Sequence, residues 1–220
     1  MSAILKTIEK KVIVRKSQPP EPVLEAIEER IGMKGLLKTR KLGSGHFADV
    51  YWLPDHKKVL KLTKDVDDAN ACFILQHKPS PWLLKVYDVF KIMNQGRWTM
   101  YCIVSEKLTP LSSSQEKDFS LFTAFLDYWF GNHFPTLKMI ENAEEHKTDS
   151  WNRWRKTYTV SDYYVDLFKN WAKALDERNI RWGDYKVDNI MARRHLPVIS
   201  DLGYSSVPFE NIPQLQVEGM

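Results

Sequence analysis

Two polar stretches of this chain carry residue types that handle phosphate and metal, and two more lie upstream of them. In RWGDYKVDNIM, residues 181–191, Asp184 stands five positions before Asn189 with Lys186 between them. A carboxylate can accept a hydroxyl proton, an amide oxygen can ligate a hard cation, and an ammonium can neutralise a transferring phosphoryl group. The same residue types also make an ordinary turn. In ISDLG, residues 199–203, Asp201 follows an apolar run and precedes a glycine. A carboxylate there can hold a metal or close an Asx-turn. Upstream, LGSGHFADVY at 42–51 sets Gly43 and Gly45 between two strand-like runs. Backbone without side chains can close over phosphates and offer N–H groups, and it also makes a hairpin turn. Lys61, in VLKLT, is an ammonium among apolar neighbours. If those neighbours are buried it wants an anion, and at a sheet edge it snorkels.

The elements that must position these residues read as follows. Residues 20–32 place Val23, Leu24, Ile27 and Ile31 at helical spacing before a glycine stop. Residues 36–53 predict a strand, a turn and a second strand, and KVLKLT at 58–63 a third. DVDDANACFILQHK, residues 65–78, opens on acids and predicts a short helix. Residues 83–92 and 98–105 predict two further strands, with Met93-Asn94-Gln95-Gly96 as their turn. The texture changes after Leu108-Thr109-Pro110. Amphipathic helices are predicted at 115–130 and 160–179, the second with Tyr164, Leu167, Phe168, Trp171 and Leu175 on one face. KTDSWNRWRK, at 147–156, reads as a solvated loop whose tryptophans fold back. Short strands follow at Asn189–Met191 and Pro197–Ile199.

In this order, glycine loop, strand lysine, helix, hinge, D-x-K-x-x-N and D-x-G, the stretches match the parts of protein-kinase phosphoryl transfer. From about Leu36 to Leu202 the chain resembles the protein-kinase-like superfamily. The resemblance implies an α+β, two-lobed fold, with a small antiparallel β lobe and a truncated, mostly helical lobe. It divides the chain into an N-terminal extension with a helix (1–35), an N-lobe (36–107) and a C-lobe carrying the catalytic loop (108–220). LGSGHFADVY resembles the glycine loop, with Ala48 in place of its third glycine. Gly43, Ser44, Gly45, Phe47, Ala48 and Val50 are thereby implied to cover ATP. Lys61 matches the lysine that contacts the α and β phosphates. DYKVDN resembles D-L-K-P-E-N, which implies Asp184 as catalytic base, Lys186 as phosphate contact and Asn189 as a ligand of Mg²⁺. ISDLG resembles D-F-G, with Asp201 as the other metal ligand and Leu202 in place of phenylalanine. IVSEKL resembles the hinge, so the backbones of Glu106 and Leu108 would meet adenine.

Three departures shape the functional expectation. Trp182-Gly183 replace the usual His-Arg. The Gly-Asp pair is similar to that of aminoglycoside- and choline-kinase-like enzymes, whereas Lys186 is the protein Ser/Thr kinase feature. No glutamate follows Lys61 in its helix, so Asp65, Asp67, Asp68 and Gln76 are the options for its partner, Asp68 being nearest in chemistry. No A-P-E element follows Gly203. Compact chains of this kind resemble bacteriophage-encoded serine/threonine kinases, and the implied activity is ATP- and Mg-dependent phosphorylation of host proteins. The alternatives are a small-molecule kinase, or a kinase-fold binding module that inhibits a host partner without catalysis. A shortened lobe would leave apolar surface for a second copy or a partner to cover.

Composition bounds the rest. The chain has 220 residues, 43% of them hydrophobic and 27% charged, enough for one domain or two small lobes. Its net charge of +4 is too mild to call for nucleic acid, and short clusters such as Arg193-Arg194 read as solvated surface. No run approaches the ~20 apolar residues of a membrane span. Residues 1–16 are Lys-rich without an apolar core, which implies a cytoplasmic protein, the host cytoplasm for a phage enzyme. Cys72 and Cys102 form no zinc pattern and fit reduced core thiols.

Overall fold

A computed structural model describes residues 21–35, 41–44, 48–53, 55–94, 98–120, 133–146, 149–158, 161–203 and 205–217. The expected turn at 93–96 and the helix at 115–130 fall partly outside these residues.

Helix α1 (Glu21–Ile31) leads into strands β1 (Lys41–Ser44), β2 (Ala48–Trp52) and β3 (Lys58–Thr63). Helix α2 (Val66–His77) and strands β4 (Val86–Asn94) and β5 (Trp98–Glu106) follow. Strand order is β1-β2-β3-β5-β4, all antiparallel neighbours. A sixth strand, β8 (Gln214–Gln216), pairs in parallel with β4. It comes from the far end of the described chain and was not expected from sequence.

Strand alternation sorts the side chains of this sheet. Leu60 and Leu62 of β3, Cys102 and Val104 of β5, and Phe90 and Ile92 of β4 share one buried cluster with Val23, Leu24 and Ile27 of α1. The intervening residues, Ile103 and Val89, belong to the other cluster, with Cys72 and Leu75 of α2. Lys61 lies opposite Ile103 in the ladder and so shares its face. Its place between Leu60 and Leu62 therefore turns it away from α1 and toward α2.

The helical part comprises a helical segment at 113–120 (α3), α4 (Leu137–Glu145), α5 (Asp149–Tyr158) and α6 (Asp162–Asp176). Strands β6 (Ile190–Arg193) and β7 (Leu196–Ile199) form a separate antiparallel pair. Helix α6 buries Val165, Leu167, Phe168, Trp171, Ala172, Ala174 and Leu175, as its periodicity predicts. Residues 149–158 depart from expectation: they form a helix rather than a loop, because Trp151, 7% exposed, enters the core and gives the segment an apolar anchor. The second cluster runs without a break from α2 through α6 to β7, so both parts share one core. The fold is thus α+β, a mostly antiparallel sheet with α2 followed by a mostly helical part, in the order that the resemblance implies. No helix among the described residues is long and apolar enough to cross a membrane.

Candidate active site

Helix α6 ends at Asp176, and Asn179 turns the chain with a φ of +53°, a left-handed conformation that asparagine tolerates. The Ile180 N–H closes the turn on the Leu175 carbonyl at 3.0 Å. This delivers Arg181–Tyr185 beneath the sheet lobe. Trp182 and Tyr185, on either side of Gly183-Asp184, are buried at 1% and 5% exposure. Trp182 packs on Phe134, Trp171 and Tyr185 with ring centroids 5.5, 6.4 and 6.2 Å away. The Phe134 N–H also bonds the Trp182 carbonyl at 2.8 Å. Aromatic packing thus anchors this loop from below.

Above that anchor the predicted polar residues meet. Lys186 Nζ lies 2.7 Å from Asp184 Oδ1. Asn189 Nδ2 donates to the Asp184 carbonyl at 2.6 Å and to Asp184 Oδ2 at 3.1 Å. The Asn189 carbonyl accepts from the Ser200 N–H at 2.9 Å, the Ser200 hydroxyl at 2.9 Å and the Asp201 N–H at 3.4 Å. Asp201 Oδ1 then takes the Gly203 N–H at 3.0 Å and lies 3.1 Å from Lys61 Nζ. Lys61 Nζ is also 2.8 Å from Asp68 Oδ2. Six residues from β3, α2, the 181–189 loop and the 200–203 turn are joined by contacts of 3.4 Å or less, the link between Asn189 and Asp201 running through the backbone.

The structure chooses Asp68 among the sequence options for the partner of Lys61. It stands early in α2, whose N-cap Asp65 accepts from the Asp67 and Asp68 N–H groups at 3.0 and 3.2 Å. Capping fixes the helix start so that its first turn faces β3. Asp68 is 1% exposed, and the Lys61 side chain 16%. Burial works against the charge on Lys61, but Asp68 and Asp201 more than offset it and hold the ammonium above its ordinary range. Burial pushes the Asp68 carboxyl up, and Lys61 counters part of that shift.

The glycine loop is described at its two ends. Gly43 pairs with Val50 and Ser44 with Asp49 across β1 and β2, and Ala48 begins β2. Gly45 and Phe47 lie outside the described residues. A Cβ added at Gly43 would meet nothing within 4 Å, so packing within the protein does not require glycine there. At the hinge, Glu106 ends β5 and Leu108 is buried.

Sequence reasoning missed Arg193, expected on solvated surface. Its Nε bonds Glu106 Oε2 at 2.8 Å, its Nη2 pairs with Glu106 Oε1, and Nη2 also donates to the Leu83 carbonyl at 2.8 Å. It clamps the hinge to β6. Ser200 was missed as well, because its role is a contact that spacing alone does not announce, whereas Asp65, one of the acids read at the start of the helix, is its cap rather than the partner of Lys61.

A separate cleft of about 380 Å³ lies at the far ends of α2 and α6, lined by His77, Lys78, Glu177, Arg178 and Glu210 among others. It contains none of the joined residues. Arg178 within it is already bonded to the carbonyls of Lys78, Pro79 and Ala174 at 2.6, 2.8 and 2.7 Å.

The donor set suits a hard cation shared with phosphate. Asp201 is 40% exposed, and both donor contacts of Asn189 use Nδ2, leaving its amide oxygen for a metal. No cluster of three or more His, Cys, Asp or Glu fit for a metal occurs among the described residues. Two protein oxygens, one from Asp201 and one from Asn189, would suit magnesium whose remaining ligands are substrate phosphates and water.

No protein-family model matches the chain, and no curated protein matches it. Among solved structures, the kinase PK-1 of Cydia pomonella granulovirus is similar, with a TM-score of 0.41 and 12% identity. The match covers 86% of this chain and 60% of that one, so this chain spans about three fifths of the viral kinase's length. At that overlap the similarity says nothing about chemistry, which rests on the contacts above.

Proposed function

We propose that this chain is an ATP- and Mg²⁺-dependent phosphotransferase that phosphorylates serine or threonine of proteins, with bacterial host proteins as its substrates. The continuous path of contacts from Asp68 through Lys61, Asp201 and Asn189 to Asp184 and Lys186 carries this reading. It supports the reading because it links an ammonium at Lys61 to a carboxylate at Asp184 that can take a hydroxyl proton and has a second ammonium, Lys186, beside it.

Asp184 orients the acceptor hydroxyl and receives its proton. Lys186, 68% exposed beside it, neutralises charge on the moving phosphoryl group. Lys61 holds the α and β phosphates, and Asp68 keeps its ammonium charged and aimed. Asn189 and Asp201 hold Mg²⁺, which when bound offsets charge on the phosphate oxygens. The Glu106 N–H already bonds the Lys85 carbonyl at 3.0 Å, so adenine is left with the Glu106 carbonyl and the Leu108 backbone. Gly43, Ser44, Ala48 and Val50 belong to the roof over the nucleotide, and Gly45 and Phe47 are assigned to it from sequence alone.

The test is incubation of the purified chain with γ-labelled ATP and Mg²⁺, with and without bacterial lysate, beside Asp201→Ala. Label on protein that disappears in the variant supports the reading. Label only on amino sugars or alcohols would support a small-molecule kinase, the acceptor class favoured by Gly183-Asp184. No transfer at all, with no nucleotide-dependent rise in melting temperature, would leave a binding module.

Gly43→Ala gives a second test. The added methyl has open space around it, so the melting temperature without nucleotide should not move. Affinity for ATP should fall about tenfold, because the methyl holds phosphate away from the backbone. Unchanged affinity in isothermal titration would remove Gly43 from the roof.

A further inference from the structure

The chain beyond Gly203 takes a route that the phosphotransferase chemistry does not require. Ser206 exchanges two backbone bonds of 2.9 Å with Arg181, three residues before Asp184. Val207 and the buried Ile212 pack into the core that contains α2. The Glu210 N–H donates to Asn70 Oδ1 at 3.1 Å. The Lys91 N–H then bonds the Pro213 carbonyl at 2.9 Å, and β8 pairs with Lys91–Met93. Leu215 and Val217 end against the opposite core, beside α1. One segment thus touches the catalytic loop, α2 and both sides of the sheet.

Asn70 is where this segment grips α2. It is 3% exposed, two residues after Asp68, and asparagine is a poor residue for a helix interior. A buried amide needs a bonding partner, and the Glu210 N–H supplies one. The start of α2 is held separately. A Cβ on Gly203 would come within 3.2 Å of Asp65 Oδ2, so the turn after Asp201 sits directly against the helix cap.

We propose that residues 205–217 are an intramolecular brace, and that Asn70 is the positioning residue through which the brace holds α2, and with it Asp68, against Lys61. On the phosphotransferase reading, on which this last step rests, the ion pair is then a resident feature of the chain. No added phosphate or partner is needed to assemble it.

The two cysteines report on this independently of any nucleotide. Cys72 is on α2, with Sγ 3.8 Å from Asp68 Oδ1. Cys102 is on β5 in the other core. Both are buried, and burial pushes both thiols up, so both resist alkylation in the native state. Local release of α2 exposes Cys72 alone, whereas global unfolding exposes both.

The experiment is native-state alkylation with iodoacetamide, read at each cysteine by mass spectrometry, in the wild type, Asn70→Ala and Leu215→Ala. Leu215 is in β8 and packs with the cluster of Cys102 and α1 rather than that of α2, so its variant loosens the far end of the brace and reaches α2 through the brace. Cys72 should label about tenfold faster than in the wild type in Asn70→Ala, with Cys102 unchanged, and severalfold faster in Leu215→Ala. Unchanged Cys72 in both variants, or equal rises at both cysteines, would overturn the brace. A rise in Asn70→Ala alone would make Asn70 a local packing residue and overturn it too. In the transfer assay, KM for ATP should rise in step with Cys72 labelling while kcat moves less. An unchanged KM beside faster Cys72 labelling would overturn the link to Lys61. Absence of all transfer in the wild type would count against the phosphotransferase reading and leave the brace to the thiol result.

Discussion

Asp184→Ala should bind ATP as the wild type does and transfer phosphate about 10³-fold more slowly, within the range that removal of a general base produces. The separation follows from geometry. The groups proposed to hold the nucleotide are joined at the Lys61 ammonium, which contacts both Asp68 and Asp201, and not through the Asp184 carboxylate. Asn189 keeps its bond to the Asp184 carbonyl, which the substitution leaves in place. Its second bond, to Oδ2, is lost, as is the ion pair with Lys186. Lys186 is 68% exposed and stays solvated when that ion pair is lost, so the loop loses little stability. Single-turnover transfer and nucleotide-dependent melting, measured side by side, check both halves. Wild-type transfer would remove Asp184 as the base. Loss of nucleotide binding together with transfer would make it a structural member of the site.

The parts of this site legible in the sequence are those whose chemistry is local. Lys61 stood out because period-2 alternation put an ammonium among apolar residues, and the ladder confirms its face. Asp184, Lys186 and Asn189 lie within one short loop, and their order after the glycine loop and Lys61 and before Asp201 is what set them apart from an ordinary turn. Asp68 was legible only as one option among several. Which residue of α2 meets Lys61 depends on where the helix starts, and that is set by the Asp65 cap. Arg193 was illegible because its partner Glu106 is 87 positions away. In sequence it is one of two adjacent arginines with nothing apolar to mark it. Strand β8 was missed for a related reason. Gln214-Leu215-Gln216 carries a single apolar residue, and its pairing comes from β4 offering an edge rather than from its own pattern. Helix α5 was misread because WNRWRK is mostly polar, and the burial of Trp151 becomes visible only once α5 is packed.

Asp68→Ala should lower stability by about 3 kcal/mol, the low end of what breaking a buried ion pair costs. Two charges leave water when α2 docks on β3. Their attraction across 2.8 Å offsets that loss only while both are present. With Asp68 gone, the Lys61 ammonium remains at 16% exposure, facing Asp201 at 3.1 Å. Asp201 is 40% exposed and therefore partly screened, so it softens the penalty without cancelling it. That places the cost at the low end. The double variant Lys61→Met, Asp68→Leu removes both charges and fills the space with apolar atoms. It should return to within about 1 kcal/mol of the wild type, because a buried pair and a well-packed apolar pair differ little in stability. The same double variant should have no measurable affinity for ATP. Urea unfolding of the three proteins measures the first effect, and isothermal titration the second. Recovered stability with lost binding would mean that the pair is kept for the phosphate it receives, not for the fold. A single variant as stable as the wild type would show instead that the Lys61 ammonium reaches water without Asp68, and the assignment of α2 as its anchor would fall with it.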